Sequence, residues 1–423
     1  MTIPKNQKIL VLPYSYTLSH ISRPLAVAKE LSERGHKVVF AGESPKTSFI
    51  RQEGFNVLPL YEPDPDVLFD NIRKGKLKFV SDKEIKRMIE ADLSLYDKVK
   101  PDIVLTDGRF TAPISTHIAG LKHAAIVNVS STEYRTLPHI PFFEWIPDTL
   151  IGRDTGLMKL IDLLNLRLEM FVLDNVMNTF KKLSKKYNLK KRVTATNCLT
   201  GKDITLLADI PEYFPTRNLP EDYHYIGPLT MKSSIPLPSW WPPKRNGNPL
   251  VYVTMGTTGI GVFFHKVHKL IKESELIAII TTGAQVGGME TLDGKIYVEP
   301  FVDGDLVVEE CDLVICHGGN GTIYQALYHG KPVIGIPTHV EQGYNMRRVE
   351  ALGVGKSLVW KKFYGNPKVL LDVIDAVLGN PSFVEKARQM QAILKTYHAE
   401  KTAADIIERY ISTQRSCGYA QRS

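Results

Sequence analysis

Cysteine is scarce. Cys198, Cys311, Cys316 and Cys417 are the only four in 423 residues and are too scattered for a disulfide framework. Cys311 and Cys316 have a C-x4-C spacing, but the apolar run Leu313-Val314-Ile315 between them reads as a strand and no second ligand pair follows. A structural thiol is therefore expected rather than a metal site. Long hydrophobic runs are missing too: nothing approaches the roughly 20 apolar residues of a membrane span. Ile9-Leu10-Val11-Leu12 is far shorter than a signal h-region and reads as a first strand, so a cytoplasmic location is expected. With 43% hydrophobic and 23% charged residues, composition excludes a fibrous repeat and long disorder. The length exceeds one ordinary core, which predicts two domains of roughly 200 residues each.

The net charge of +8, from 53 basic and 45 acidic residues, is concentrated in two strips. Residues 181 to 192 hold seven basic side chains and no acid, and residues 73 to 87 hold seven against Asp82 and Glu84. Such strips are either solvated helix faces or contacts for an anionic partner. Phe79 and Tyr187 are the only interleaved aromatics, so nucleic acid is not an expected partner. Peripheral contact with an anionic membrane is the alternative to a solvated face.

Short β-branched runs alternate with helical patterns from the start: Lys8 to Tyr14, Lys37 to Ala41, Val57 to Leu60, Ile103 to Thr106 and Ala125 to Val129. The alternation restarts with Leu250 to Thr254, Leu276 to Thr281, Ile296 to Val298, Leu313 to Cys316 and Val333 to Ile336. Two parallel sheets with helices on both faces are predicted, an α/β fold of two Rossmann-like domains. Between them, Ser233-Ser234-Ile235-Pro236-Leu237-Pro238-Ser239-Trp240-Trp241-Pro242-Pro243 can continue neither a helix nor a central strand. The expected boundaries are 1–230 for an N-terminal domain, 231–248 for a Pro-rich linker, 249–380 for a C-terminal domain, and 381–423 for a C-terminal helix and tail. Residues 156 to 190 read as one or two long helices, apolar at Leu160, Leu163, Leu164, Leu168 and Phe171. With Phe142-Phe143-Glu144-Trp145-Ile146 they are either the wall of an apolar pocket or plain core.

The strand ending at Cys316 runs straight into His317-Gly318-Gly319-Asn320-Gly321-Thr322 and then a helical pattern from Ile323 to His329. In an open parallel sheet ligands sit beyond the carboxyl ends of strands, where the next helix presents unpaired N–H groups and a positive dipole end. Glycines let a phosphate approach, Asn320 and Thr322 add side-chain donors, and His317 can donate to a phosphate oxygen.

With Gly330-Lys331-Pro332-Val333-Ile334-Gly335-Ile336-Pro337 and Glu341-Gln342-Gly343-Tyr344-Asn345 behind it, this segment resembles the donor-binding signature of one glycosyltransferase superfamily. That superfamily, glycosyltransferase family 1, holds the UDP-glucuronosyltransferases, plant secondary-metabolite glucosyltransferases and bacterial macrolide-type glycosyltransferases. The match extends to Tyr225-Ile226-Gly227-Pro228-Leu229 and Val251-Tyr252-Val253-Thr254-Met255-Gly256-Thr257. The resemblance implies a GT-B fold, two Rossmann-like domains across a cleft, and inverting transfer from a nucleoside diphosphate sugar. By it, His317, Gly319, Asn320, Gly321 and Thr322 hold the diphosphate, Thr257 assists, and Glu341 and Gln342 contact sugar hydroxyls. An acid and an amide side by side also suit a sugar edge by their hydrogen-bonding capacity, although a helix cap uses the same residues. The backbone of Val302 is expected near the nucleobase, but Asp303-Gly304-Asp305 departs from the family pattern there, so UDP and dTDP are not distinguished.

In the N-terminal half, Ser22 reads as a helix N-cap with Pro24 in the first turn, which places His20 just outside the helix. The family has a His at this position, usually after Gly; here Ser19 precedes it. An imidazole is a competent base for a sugar-acceptor hydroxyl, a poor nucleophile at neutral pH. Asp107, at the end of the strand from Ile103, is the candidate to orient it, with a helix-capping role as the alternative. Asp64-Pro65-Asp66 and Asp303-Gly304-Asp305 read as turn and cap residues, so no metal or other cofactor is expected beyond the nucleotide sugar as co-substrate. The acceptor implied by the bacterial relatives is a hydroxylated lipophilic small molecule or lipid. A nucleotide-sugar epimerase of the same fold, or a non-catalytic nucleotide-sugar-binding relative, is the alternative.

Overall fold

The computed structural model describes residues 6–141, 156–230, 235–245, 247–256 and 260–420. Two compact units are present, Met1–Leu229 with His398–Ser423, and Thr230–Tyr397. The first carries strands β1 (Lys8–Pro13), β2 (Lys37–Ala41), β3 (Val57–Leu58), β4 (Ile103–Asp107), β5 (Lys122–Val127), β6 (Ile204–Leu207) and β7 (Tyr223–Tyr225). All pair in parallel, in the order β3-β2-β1-β4-β5-β6-β7. The second unit carries β8 (Leu250–Thr254), β9 (Ile277–Thr281), β10 (Ile296–Glu299), β11 (Leu313–Cys316), β12 (Val333–Gly335) and β13 (Gly355–Ser357), also parallel, in the order β10-β9-β8-β11-β12-β13.

Because helices cover both faces, the central strands are apolar on both sides. Ile9 and Val11 of β1 join the core under the Leu18–Glu33 helix, while Leu10 and Leu12 pack on the opposite face with Leu95, Tyr96 and Val99 of the Asp82–Val99 helix. In the second unit Val251 and Val253 meet Phe263, Phe264 and Val267 of the Gly261–Lys272 helix. Every strand anticipated above is present with small shifts at its ends, and three further ones, β6, β7 and β13, extend the sheets.

The stretch from Phe383 to Ile411 is not one helix on one domain. It breaks after Leu394, so the Pro381–Leu394 helix belongs to the second unit and the Ala399–Ala420 helix to the first. There Ala403, Ala404, Ile407 and Ile411 are buried against the Leu18–Glu33 helix. Glu408 secures the contact, accepting from Arg34 Nη1 at 2.8 Å and lying 2.9 Å from His36 Nε2. The described part of the Pro-rich linker is docked rather than loose: Trp240 stacks on Tyr297 with ring centroids 4.6 Å apart and donates to Glu299 at 2.7 Å.

The helical reading of 156 to 190 resolves into Gly156–Val176 and Thr179–Lys186. The core alternative does not hold for its leucine stripe, because Leu160, Leu164, Leu168 and Phe171 are exposed, with Leu157 continuing the same face. Leu166 and Met177 are buried instead. Phe142-Phe143-Glu144-Trp145-Ile146 lies outside the described residues.

Glu169 pins this helix, accepting from Arg135 Nη2 at 2.6 Å and from the His139 backbone at 2.8 Å, with His139 Nδ1 at 3.0 Å. Burial alone would raise its pKa, but the His139 hydrogen bond and the attraction of His139 and Arg135 outweigh it and hold the carboxyl at about 2. A depressed carboxyl contributes stability above its unfolded pKa and loses it as pH falls through the folded one. The clamp therefore contributes on the order of 3 kcal/mol at neutral pH, lost between about pH 4.5 and pH 2. Glu169→Gln should lower Tm at pH 7, and the gap to the wild type should narrow as pH falls from about 4.5 to about 2. A gap independent of pH would show that the charge on Glu169 does not hold the helix.

Candidate active site

In each unit the strand order reverses beside the first strand of the sheet, where adjacent loops leave in opposite directions and a crevice opens at the carboxyl ends. In the first unit that point lies between β1 and β4, whose last residues, Pro13 and Asp107, are register partners. The helix after β1 begins at Leu18, with Thr17 as N-cap, not Ser22. His20 is thus within the first turn, not outside it, and Pro24 lies inside the helix, supplying no N–H to the His20 carbonyl.

His20 and Asp107 are brought together: Nδ1 lies 2.5 Å from Asp107 Oδ1, with the carboxylate almost fully buried and the imidazole about one third exposed. Asp107 does not cap the next helix, whose N-cap is Thr111. Gly108 makes the approach possible. Its φ is +86°, and a Cβ there would lie 2.7 Å from Tyr14 Cβ and 3.4 Å from His20 Cγ. The sequence reading missed Arg23, which donates to both Asp107 oxygens at 2.6 and 2.8 Å. It also missed Asn128, which accepts from Arg23 at 2.5 Å.

In the second unit the reversal lies between β8 and β11. The helix after β11 starts at Asn320 with Gly319 as N-cap, three residues earlier than its apolar pattern indicates. Asn320, Gly321 and Thr322 are therefore its first turn, whose N–H groups have no intrahelical acceptor. His317 is buried between two glycines. A Cβ on Gly256 would lie 3.0 Å from His317 Cε1, and one on Gly319 would lie 2.6 Å from Nε2. Burial, with a smaller contribution from the charge of His339, pushes the pKa of His317 down to about 4, so it is a neutral imidazole at physiological pH. Gly318 turns with φ +87°, and Asn345, to which the sequence reading gave no role, donates to its carbonyl at 2.9 Å.

Glu341 and Gln342 do not share an environment. Glu341 is exposed in the first turn of the Val340–Leu352 helix. Gln342 is buried, and its Oε1 accepts from the backbone N–H and hydroxyl of Thr338 at 2.8 and 2.9 Å, leaving the amide nitrogen to donate elsewhere. Val302 is buried just before Asp303, which caps the Gly304–Glu310 helix by accepting from Asp305 and Leu306. Asp64 caps the Pro65–Arg73 helix in the same way. Thr257 lies outside the described residues.

The basic strips are partly used internally. Lys191 bonds Asp222 and Tyr223, Lys74 pairs with Asp70 and Lys78 with Asp82. Lys190 and Lys191 line a cavity of about 400 Å³ with Lys122 and Lys202, near the start of β5 and just before β6, away from His20. Among the described residues no helix is long and apolar enough to cross a membrane, and no group of three or more potential metal ligands occurs.

Residues 250–410 match the model of the glycosyltransferase family 28 C-terminal domain, whereas the sequence signature resembles that of family 1. A PGL/p-HBAD biosynthesis rhamnosyltransferase from Mycobacterium bovis is 29% identical over 359 residues, covering 83% of this chain and 76% of that protein. A PGL/p-HBAD biosynthesis glycosyltransferase from Mycobacterium tuberculosis is 26% identical over 92% of this chain and 89% of its own length. Among solved structures, the spinosyn rhamnosyltransferase SpnG complexed with thymidine diphosphate superposes with a TM-score of 0.68 at 16% identity, over 95% of this chain and 100% of that one. With two parallel Rossmann-like sheets, a match to the family 28 C-terminal domain model over residues 250–410 and relatives of this kind, the chain is a glycosyltransferase of GT-B fold.

Proposed function

We propose that the chain transfers a hexose, with inversion, from a UDP- or dTDP-type nucleotide sugar to a hydroxyl of a lipophilic small molecule or lipid, with His20 as general base. The observation that carries this is the 2.5 Å contact between His20 Nδ1 and the buried Asp107 carboxylate at the reversal point of the sheet. With Nδ1 committed to Asp107, Nε2 is the nitrogen that takes the acceptor proton as the hydroxyl attacks the anomeric carbon. The bond from that carbon to the diphosphate oxygen breaks on the opposite face. Negative charge gathering on the departing diphosphate is met by the N-terminus of the Asn320–Tyr328 helix and by His317, so catalysis needs no metal.

His317 Nδ1 is buried without a partner among the described residues, a group that a bound ligand would satisfy. Thr257 and the Val302 backbone are assigned to the donor by the family pattern, as are Glu341 and the Gln342 amide on the sugar. The rhamnosyltransferase relative and the thymidine diphosphate complex favour a dTDP-linked deoxyhexose. For the acceptor, the exposed stripe Leu157, Leu160, Leu164, Leu168 and Phe171 supports an apolar partner. Together with the basic strips, it supports peripheral attachment of a cytoplasmic protein to an anionic membrane.

The test is donor turnover in EDTA. Nucleoside diphosphate release that depends on a hydroxylated lipophilic acceptor and survives chelation is the expected result. Release only after magnesium or manganese is restored would overturn the metal-free mechanism. Sugar isomerisation without release would identify an epimerase, and binding with neither reaction a non-catalytic relative. Cosedimentation with vesicles should rise with anionic lipid content; indifference to it would remove the membrane assignment.

A further inference from the structure

We infer that Arg23 is a positioning residue that fixes the Asp107 carboxylate and, through it, the orientation of the His20 imidazole, in a polar chain running His20, Asp107, Arg23, Asn128, Asp209. This rests on His20 as the base. Arg23 follows His20 by three residues on the same helix, so the two side chains share a face. Its guanidinium is buried, which is tolerable only if its donors are used. Nε donates to Asp107 Oδ2 at 2.8 Å, Nη2 to Oδ1 at 2.6 Å and Nη1 to Asn128 Oδ1 at 2.5 Å. Asn128 Nδ2 in turn donates to Asp209 Oδ1 at 3.1 Å, and Asp209 Oδ2 accepts from the Val129 backbone at 2.6 Å. The polar chain thus joins the helix after β1 to the carboxyl ends of β4, β5 and β6, the edge on which the site is built.

Two consequences follow from the geometry. The planar fork on both carboxylate oxygens removes rotation of Asp107, so the bond from Nδ1 has one direction and Nε2 points one way. Arg23 Nη2 also lies 3.2 Å from His20 Nδ1; because Nδ1 carries the hydrogen shared with Asp107, this is a positive charge beside the ring rather than a further hydrogen bond. Without Arg23 the buried Asp107 carboxylate would face the imidazole with no cation beside it. The Tyr14 ring, edge-on with centroids 6.2 Å apart, and Gly108 also face His20. Glu62, which follows β3, is engaged with the N–H of Ser15 in the loop after β1 at 2.8 Å.

The test compares Arg23→Gln, Arg23→Lys and His20→Ala in the full chain, reading the pH profile of kcat/KM with the fold checked by circular dichroism and Tm. Arg23→Gln should lower kcat by about 10- to 100-fold with donor KM near the wild-type value, and move the acid limb up by about one pH unit. Arg23→Lys should hold the acid limb close to its wild-type position while kcat falls, because a point charge cannot reproduce the fork. A folded Arg23→Gln protein with wild-type kcat and an unmoved acid limb overturns the inference. Should Arg23→Gln not fold, Asn128→Ala decides: lower kcat with an acid limb moved upward supports the chain, and an unchanged profile overturns it. Turnover retained in His20→Ala would instead remove the general-base assignment itself.

Discussion

Replacing His20 with Ala should lower kcat by about 10²- to 10⁴-fold or more while nucleoside diphosphate affinity stays close to that of the wild type. The separation is expected because His20 lies in the first unit, whereas the glycine-rich turn and His317 lie in the second. The substitution also leaves the Arg23–Asp107 fork intact, so the buried carboxylate keeps a cation and the fold is not charged with an unpaired buried group. Measuring kcat together with nucleotide Kd on the same preparation checks it. Near-normal turnover would mean that another group takes the acceptor proton.

Gly319→Ala should damage the donor turn through a single added methyl. The added Cβ would fall 2.6 Å from Nε2 and 2.8 Å from Cε1 of His317, and on the other side Gly256 already packs against that ring. Such overpacking costs about 1–3 kcal/mol, because Gly256 lies on the side toward which the ring would shift. Expressed in the grip rather than in global stability, it corresponds to about 10- to 100-fold weaker nucleoside diphosphate binding. Gly321→Ala is the contrasting case: a Cβ there meets nothing within 4 Å. That variant should keep its Tm without ligand, and any loss of ligand-induced stabilisation would report a phosphate lying against Gly321. Equal affinity in Gly319→Ala and wild type, by thermal shift or calorimetry, would show that the turn does not hold the diphosphate.

The helix after β11 shows how the sequence misplaces boundaries. Its apolar periodicity begins at Ile323, yet the first turn is Asn320, Gly321 and Thr322, which carry no apolar signal because they are exposed or half-buried. The Leu18–Glu33 helix misleads in the opposite way. Ser22 and Pro24 look like a start, but the chain is already helical at Leu18, and tertiary contacts hold Pro24 inside against its local preference. β13 was illegible because Gly355-Lys356-Ser357 has no apolar signal; a Cβ on Gly355 would meet the Val333 carbonyl at 1.9 Å, so close pairing to β12 demands the glycine. The leucines of the Gly156–Val176 helix carry a clear helical period, but period does not say which way a face turns, and this one turns outward.

By itself the sequence determined the two parallel α/β units, the Pro-rich break between them, the glycine-rich turn after a buried strand, and the candidacy of His20 and Asp107. Those are properties of local composition, spacing and family pattern, which a linear reading can reach. Tertiary structure alone decided that Arg23 and Asn128 complete the His20–Asp107 pair and that Asn345 holds the Gly318 turn. It also decided that the last two helices part between the units. These are contacts between residues far apart along the chain, 105 positions for Arg23 and Asn128 and 374 for Arg34 and Glu408, and no short-range pattern encodes such a separation.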